Sequence, residues 1–158
     1  MAESESIKGL KELRAALLEL PKGIARNVLR GAVSAGAAVV RVEAKARAPV
    51  YTGSVAAGHP PPGTLKKAIY QKQIREKSNE KQQTFFVGVR QGKHAKQSKK
   101  GLLDAYYGRF IEFGTSKMAA KPFMRPAFEG KKDAAVQAIK AYLEKRIPEE
   151  VEKASRKK

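Results

Sequence analysis

A segment rich in proline and glycine divides this sequence of 158 residues into parts with different apolar patterns. Residues 49–64 contain four of the eight prolines and three of the thirteen glycines, a mixture that regular helices and strands do not tolerate. Helix-like apolar spacing precedes this segment, whereas strand-like alternation follows it. Its central part, residues 54–63, is therefore predicted to be a mobile loop that follows the helical part of the chain.

Two consecutive helices are predicted before this loop. In the first, the apolar residues recur at intervals of three and four and form one stripe, namely Ile7, Leu10, Leu13, Leu17 and Leu20. Pro21 interrupts the run and suits the first turn of a second helix. That helix should end near Arg47, because Ala48 precedes Pro49 and a residue before proline avoids the helical conformation.

The middle of the second predicted helix consists of small residues: Gly31, Ala32, Ala35, Gly36, Ala37 and Ala38. Small residues let another backbone approach closely, although each glycine costs about 1 kcal/mol of helix propensity. We expect this stretch to lie tightly on the protein's own sheet. The alternative is a contact with another subunit.

A hairpin and a final helix are predicted after the loop. Residues 65–77 alternate loosely, and residues 84–89, rich in aromatic and β-branched side chains, form the clearest strand. Residues 78–81 are the predicted turn between them. The lysine-rich residues 91–101 are predicted to be a second mobile loop, and a short ordered segment, residues 102–115, follows.

The last helix should begin near Pro126, and Pro148 should stop or bend it. This order of elements indicates an α+β fold, in which long N-terminal helices and a C-terminal helix pack on a small antiparallel β-sheet. We expect one domain over residues 1–150. Residues 151–158 are predicted to be a basic, flexible tail.

The net charge of +18, from 33 Lys and Arg against 15 Asp and Glu, points to polyanionic partners. Nucleic acid and an acidic protein surface are the two candidates. No membrane partner is expected, because the most apolar stretch, residues 31–40, is too short to span a bilayer. The first residues are acidic, unlike a signal peptide, so we expect a soluble protein made in the cytoplasm.

The sequence gives little support for an enzyme. It has no cysteine and only two histidines, His59 and His94, so we expect no metal and no cofactor. The common nucleotide-binding, hydrolase and metalloprotease motifs are absent. Asp104 and Glu112 could in principle act as an acid–base pair, but we expect Glu112 to form a structural salt bridge with a nearby Lys or Arg.

Basic residues are concentrated in the middle of the chain. Residues 44–103 contain thirteen Lys and Arg against only Glu76 and Glu80. A basic hairpin over residues 65–101 could follow nucleic-acid phosphates without reading sequence. Its candidate contacts to DNA or to an acidic partner are Lys66, Lys67, Lys72, Arg75, Lys93, Lys96, Lys99 and Lys100. The alternative is a solvated face with no ligand.

The most specific run of the sequence lies between residues 106 and 128. It is an aromatic-rich segment that ends at Gly114, for which we expect a positive φ angle. A polar connector leads to a Pro-Phe-Met-Arg-Pro turn, in which Pro126 suits the first turn of the last helix. Phe123 and Met124 are expected to fasten this turn to the core.

This run resembles the gene-ten-like morphogenesis proteins of HK-type tailed bacteriophages. The hallmark is a Tyr, an aliphatic or aromatic pair, Glu-Phe-Gly-Thr and a Pro-Phe-x-Arg-Pro-Ala turn. The matching positions in this chain are Tyr107, Phe110, Ile111, Glu112, Phe113, Gly114, Thr115, Pro122, Phe123, Arg125, Pro126 and Ala127. Weaker matches lie in residues 44–49, 52–53 and 65–69. The resemblance covers residues 13–143, and residues 54–63 and 91–101 depart from the pattern.

The resemblance implies a structural protein of the virion, not an enzyme, at the head–tail junction or the head-proximal end of the tail. It implies a homo-oligomeric, commonly six-fold ring with the connector, tail terminator or tail tube as neighbours, assembled in the host cytoplasm. The predicted loops 54–63 and 91–101 could reach a neighbouring ring, and the positive charge could face packaged DNA. Residues 112–115 could be internal to the fold or part of an interface. The alternative function is a small cytoplasmic protein that binds nucleic acid through the basic hairpin.

Overall fold

The computed structural model describes residues 9–52, 60–91 and 105–156. In chain order these residues form α1 (Leu10–Glu19), α2 (Lys22–Arg47), α3 (Thr64–Ala68), β1 (Ile69–Gln73), a 3-10 turn (Arg75–Lys77), β2 (Phe85–Val89), α4 (Gly108–Phe113) and α5 (Met124–Ser155). β1 and β2 pair as a two-stranded antiparallel sheet, and the predicted α+β class is confirmed. Among the helices of these ranges, none has the length and apolarity needed to cross a membrane.

The chain divides into two compact units, and the long helices α2 and α5 contribute to both. Among the described residues, the helical unit comprises residues 9–36, 73–85 and 134–156. The mixed unit comprises residues 37–52, 60–72, 86–91 and 105–133. A single domain over residues 1–150 stays a prediction.

The core of the helical unit is built where the apolar stripes of its helices meet. Its buried residues are Leu20, Val28, Ala32, Leu143 and Ile147. Leu13 and Leu17 of α1 pack against this cluster. The stripe predicted for the first helix is therefore a packing face, as the spacing of three and four indicates.

The small residues of α2 pack on α5, not on the sheet. A methyl group on Gly31 would overlap the Tyr142 ring, and one on Gly36 would lie 2.8 Å from the Ile139 side chain and 3.0 Å from the Ala135 carbonyl oxygen. The prediction that this stretch lies on the protein's own sheet is wrong. The two-stranded sheet is small, and the long C-terminal helix supplies the surface for close helix–helix packing.

Helix α5 does not stop at Pro148 but continues to Ser155. Ion pairs spaced three or four residues apart support the helix after the proline: Arg146–Glu149 at 2.6 Å, Arg146–Glu150 at 3.1 Å, Lys153–Glu150 at 3.0 Å and Arg156–Glu152 at 2.6 Å. Pairs with this spacing face each other on a helix surface and favour the helical conformation. Burial of Ile147 also anchors the turn that contains the proline. Of the two predicted effects of Pro148, the stop is wrong and the bend stays a prediction.

The core of the mixed unit is built on three fully buried side chains, Leu65, Ile69 and Phe123. Five buried alanines surround them and let the elements approach closely: Ala44, Ala48, Ala68, Ala105 and Ala127. Val87 and Val89 of β2 pack against this cluster from the inner face of the sheet. The backbone of Arg90 connects the parts, because its N–H donates to Ala68 and its carbonyl accepts from Ala105, each at 3.1 Å.

The strand predicted over residues 65–77 begins only at Ile69, because α3 occupies residues 64–68. Gly63, at φ 80°, sets the start of α3, and the Thr64 hydroxyl donates to the Pro61 carbonyl at 2.6 Å. Leu65 and Ala68, three residues apart, then face the core. A helix this short is not separable from loose strand alternation in the sequence.

The predicted turn at residues 78–81 is present. The Asn79 side-chain oxygen accepts the backbone N–H groups of Lys81 and Gln82 at 2.9 and 2.8 Å. The predicted loops 54–63 and 91–101 lie mostly outside the described residues. Only residues 60–63 and Gln91 belong to the described ranges.

Candidate functional site

The Glu112 carboxylate caps the start of α5. One oxygen accepts the backbone N–H groups of Phe123 and Met124 at 2.7 and 3.0 Å, and the other accepts that of Arg125 at 3.1 Å. The first N–H groups of a helix have no partner within the helix, so a carboxylate there satisfies them. The expected salt bridge with a nearby Lys or Arg is corrected: the described structure pairs Glu112 with backbone.

The pKa of Glu112 lies below its usual value of 4.5. Partial burial raises this pKa, but the hydrogen bonds from Met124, Phe123 and Arg125 and the positive charge of Arg125 together outweigh it. The positive end of the helix dipole favours the same ionised form. Glu112 is therefore a carboxylate engaged in the fold.

Gly114 turns the chain directly after α4. Its φ of 75° confirms the predicted positive angle, and a methyl group there would lie 2.9 Å from the Met118 carbonyl oxygen. Thr115 and Met118 then pair as an isolated antiparallel bridge. The Lys121 N–H donates to the Ile111 carbonyl at 2.8 Å, which returns the chain alongside α4.

The Pro-Phe-Met-Arg-Pro turn enters the core as predicted. Phe123 is 1% exposed, and Met124 packs against the same cluster. Pro126 lies in the first turn of α5. Proline suits this turn because it lacks a backbone N–H, and N–H groups there have no partner within the helix. The Glu112 carboxylate, which belongs to the first part of the motif, thus fixes the backbone of the Pro-Phe-Met-Arg-Pro turn.

Other residues of the same motif are exposed. The side chain of Phe113 is 70% exposed and that of Phe110 is 47% exposed. Arg125 and Pro122 are also exposed, whereas Tyr107 is partly buried against the core. Within residues 112–115, Glu112 and Gly114 are partly buried, whereas Phe113 and Thr115 are exposed, so a role of this segment in an interface stays a prediction.

An open groove of about 680 Å³ lies in the mixed unit. We call it the proline–tyrosine groove, and its lining residues are Pro49, Val50, Tyr51, Pro60, Pro61, Pro62, Gly63, Leu65, Tyr106, Tyr107, Phe110, Ile111, Thr115, Met118 and Lys121. The segment after α2 and the segment before α3 form one side, and α4 with the following bridge forms the other. Four motif residues thus line the groove, namely Tyr107, Phe110, Ile111 and Thr115.

Tyr107 connects the groove to the core. Burial raises the pKa of its hydroxyl above the usual 10.0, against a hydrogen bond with the Leu65 backbone that lowers it. Tyr106 contacts Tyr107 edge to face, with ring centroids 5.8 Å apart. The aromatic wall is therefore held in place, because one ring is packed and bonded and supports the next.

The outer face of the sheet carries a small aromatic and cationic array. The rings of Tyr70 and Phe86 meet edge to face with centroids 6.2 Å apart, and the Arg90 guanidinium lies 5.2 Å from the centre of the Tyr70 ring. The Phe86 ring covers Gly88, where a side chain would overlap it. Lys72 is exposed on the same strand as Tyr70.

Four of the eight basic residues predicted to contact DNA or an acidic partner lie in the described ranges. Lys66, Lys67 and Lys72 are exposed in the mixed unit, and Arg75 is exposed in the helical unit. The other four candidates, Lys93, Lys96, Lys99 and Lys100, lie outside the described residues. Phosphate binding by the basic hairpin therefore stays a prediction.

The described ranges contain no group of three His, Cys, Asp or Glu that could hold a metal ion. His59, His94 and Asp104 lie outside those ranges. Glu112, the one described member of the considered acid pair, is engaged by three backbone donors.

The sequence did not predict the proline–tyrosine groove. The sequence signal was the presence of prolines and tyrosines in three separate stretches, residues 49–51, 60–62 and 106–107. These stretches are far apart in the chain, and periodicity within one element does not show that they meet.

The comparisons bear on the same region of the chain. A family model described as "Bacteriophage HK97-gp10, putative tail-component" matches residues 11–114. The matched range includes both strands, the short helices and Glu112, and it ends before the Pro-Phe-Met-Arg-Pro turn. Neither the curated proteins nor the solved structures gave a match.

Proposed function

Since this chain belongs to the HK97-gp10-like family of phage tail components, we propose that it acts at the head–tail junction or at the head-proximal end of the tail. Its role there is structural, as a joining or tail-completion protein, and not enzymatic. It is assembled into the virion in the host cytoplasm. The observation that carries the proposal is the family match, which spans most of the described fold.

The surface of the mixed unit supports a role in assembly. Large apolar side chains are exposed on several of its elements: Val42, Val50, Tyr51, Phe86, Tyr106, Phe110, Phe113, Met118 and Phe128. Single exposed apolar residues are ordinary, but a concentration of aromatic ones is typical of surfaces that other proteins cover. A protein that joins two parts of a particle needs such surfaces on more than one side.

We further propose that the protein works as a homo-oligomeric ring of six subunits. A closed ring requires that one patch of each subunit meet a different patch of its neighbour. Exposed aromatics on different elements, such as Phe86 on β2 and Phe128 on α5, offer two distinct patches. The connector, the tail terminator or the tail tube would be the adjoining proteins.

The second candidate function is sequence-independent binding of nucleic acid, including non-specific contact with packaged DNA. The observation that favours it is the exposure of Lys66, Lys67 and Lys72 without an ion pair among the described residues. Such binding would weaken steeply as salt rises. Submicromolar affinity of a monomeric protein for duplex DNA at moderate salt would favour this candidate over the joining role.

A genetic experiment tests the joining role. A stop codon at Gly9 of the gene in the parent phage, followed by electron microscopy of the lysate, should give filled heads beside free or overlong tails. Supplying the gene in trans should restore joined particles. Normal infectious particles in normal numbers without the protein would refute the role.

A further inference from the structure

We propose that the proline–tyrosine groove binds an acidic polypeptide segment with apolar side chains, contributed by a different virion protein. The proposal rests on the virion role proposed above and names the chemistry of one partner. It depends on the lining of the groove, on the sign of the charges in its described lining segments, and on the engagement of the Glu112 carboxylate.

The shape of the groove fits a polypeptide better than a small ligand. Among its lining residues, Tyr51 is 64% exposed and Phe110 is 47% exposed, whereas Leu65 is buried at the floor. A small ligand would leave much of its surface in water in so open a site, since pockets for small molecules bury most of the ligand. An extended chain instead can insert some side chains and leave others at the rim.

Several lining residues also have little conformational freedom to lose when a partner binds. Three consecutive prolines, Pro60, Pro61 and Pro62, form part of one wall, and proline has little conformational freedom to lose. The opposite wall has Tyr107 fixed by burial and by its bond with the Leu65 backbone. Ordering costs on binding are low for such a surface, so apolar side chains of a partner gain more net affinity there.

Lys121 is the one charged side chain among the residues that line the groove, and the other charges in the described lining segments have the same sign. The lining segments, residues 49–51, 60–65, 105–111 and 115–121, contain three charged side chains, namely Arg109, Lys117 and Lys121. Glu112 follows directly in sequence, but its carboxylate is turned to the N–H groups of α5. A partner segment with carboxylates beside its apolar residues therefore complements this rim.

The wider surface has the same bias. The described residues of the mixed unit contain thirteen Lys and Arg and four Asp and Glu. Of these acids, Glu43 pairs with Arg47 at 2.7 Å and with Lys131 at 3.8 Å, and Glu112 caps α5. The excess of cations would attract an acidic segment over distance before the groove captures it.

The acidic end of α5 in a second copy of the chain fits this groove less well than an acidic segment of another protein. The acidic residues near the end of α5 are already paired on their own helix, for example Glu149 with Arg146 and Glu152 with Arg156. Duplex DNA also fits poorly, because phosphates would leave the apolar walls in contact with water. An acidic, partly apolar segment satisfies both the walls and the rim.

Site-specific cross-linking in assembled particles tests the proposal. A photoreactive benzoylphenylalanine replaces Phe110 in the full-length protein, which then complements the phage with the stop codon. The matched control carries the same group in place of Phe128, which is exposed in the mixed unit but does not line the groove. Mass spectrometry of the irradiated particles identifies the cross-linked segments.

The expected result is that position 110 cross-links to one segment of another virion protein, in which Asp and Glu outnumber Lys and Arg. The double substitution K117E/K121E should reduce this cross-link about tenfold or more, because the new carboxylates would face those of the partner segment and like charges repel. The control substitution Lys132→Glu should leave it unchanged. A synthetic peptide of the identified segment should bind the purified protein and lose affinity by a similar factor with K117E/K121E.

Several results would overturn the proposal. Cross-links from position 110 to another copy of this chain, to DNA or to a basic segment would each do so, as would capture of the same segment in equal yield from position 128. Failure of the two proposals is distinguishable. Normal particles without the protein refute the virion role, whereas a required protein with one of these cross-linking results refutes only the groove.

Discussion

Glu112 and Phe123 are joined by a 2.7 Å hydrogen bond from the Phe123 backbone N–H to the Glu112 carboxylate. The bond connects the end of α4 to the start of α5 and holds Phe123 at the centre of the mixed unit's core. Because both residues belong to the most specific motif of the sequence, part of that motif serves the fold. Phe110 and Phe113, which lie on either side of Glu112 in the sequence, are exposed instead.

Replacement of Glu112 should destabilise the protein. Glu112→Ala removes the partner of three backbone N–H groups, and loss of a helix cap costs about 0.5–2 kcal/mol. Glu112→Gln keeps one acceptor oxygen but loses the charge, so we expect a smaller loss. Thermal unfolding of both variants checks this, with Glu129→Gln, exposed on the same helix, as the matched control. Equal stability of Glu112→Ala and the wild type would contradict the capping role.

The stability that Glu112 contributes should depend on pH. Its pKa is lower in the folded chain than its usual 4.5, so the folded state favours the carboxylate. The contribution is therefore complete above the unfolded pKa and is lost as pH falls through the lower folded pKa. Denaturant unfolding of the wild type and Glu112→Gln should show a gap at neutral pH that narrows below about pH 4.5. A gap that widens with acid would contradict this sign.

The sequence predicted those features that depend on neighbouring residues. The stripe of Leu13 and Leu17, the positive φ of Gly114 and the place of Pro126 follow from local spacing and local backbone preference. The partner of Glu112 did not follow, because many cations were available and the start of α5 decides which donors face the carboxylate. The proline–tyrosine groove was missed because Tyr51 and Phe110 meet only through the tertiary fold.

The contact of α2 with α5 should tolerate no added methyl group at Gly36. A methyl group there would meet the Ile139 side chain at 2.8 Å and backbone at 3.0 Å, and overpacking costs typically about 1–3 kcal/mol. The gain in helix propensity, about 1 kcal/mol, offsets only part of this cost. Gly23→Ala is the matched control, because Gly23 lies in the same helix with no atom within 4 Å.

The outcome is measured as the change in unfolding midpoint. Gly36→Ala should lower it, whereas Gly23→Ala should raise it or leave it unchanged. Gly31→Ala should cost less than Gly36→Ala, because its obstacle is the outer end of the Tyr142 side chain rather than backbone. Full stability of Gly36→Ala would mean that the two helices are not packed as closely as described.

Substitution of Gly114 should be more damaging than substitution of Gly63, although both have a positive φ. Gly63→Ala meets no atom within 4 Å, so it reports the backbone strain alone, roughly 1–2 kcal/mol. Gly114→Ala adds a methyl group 2.9 Å from the Met118 carbonyl oxygen and the Ala120 nitrogen. It also has ψ near −178°, a combination that only glycine adopts readily.

The two variants are compared by chemical denaturation and by cross-linking at position 110. Gly114→Ala should lose at least about 1 kcal/mol more than Gly63→Ala, since strain and close contact add at one site. It should also lower the cross-linking yield at position 110, because Thr115 and Met118 line the groove immediately after the turn. Equal losses in the two variants would show that the turn can widen, and that Gly114 is needed for its φ angle alone.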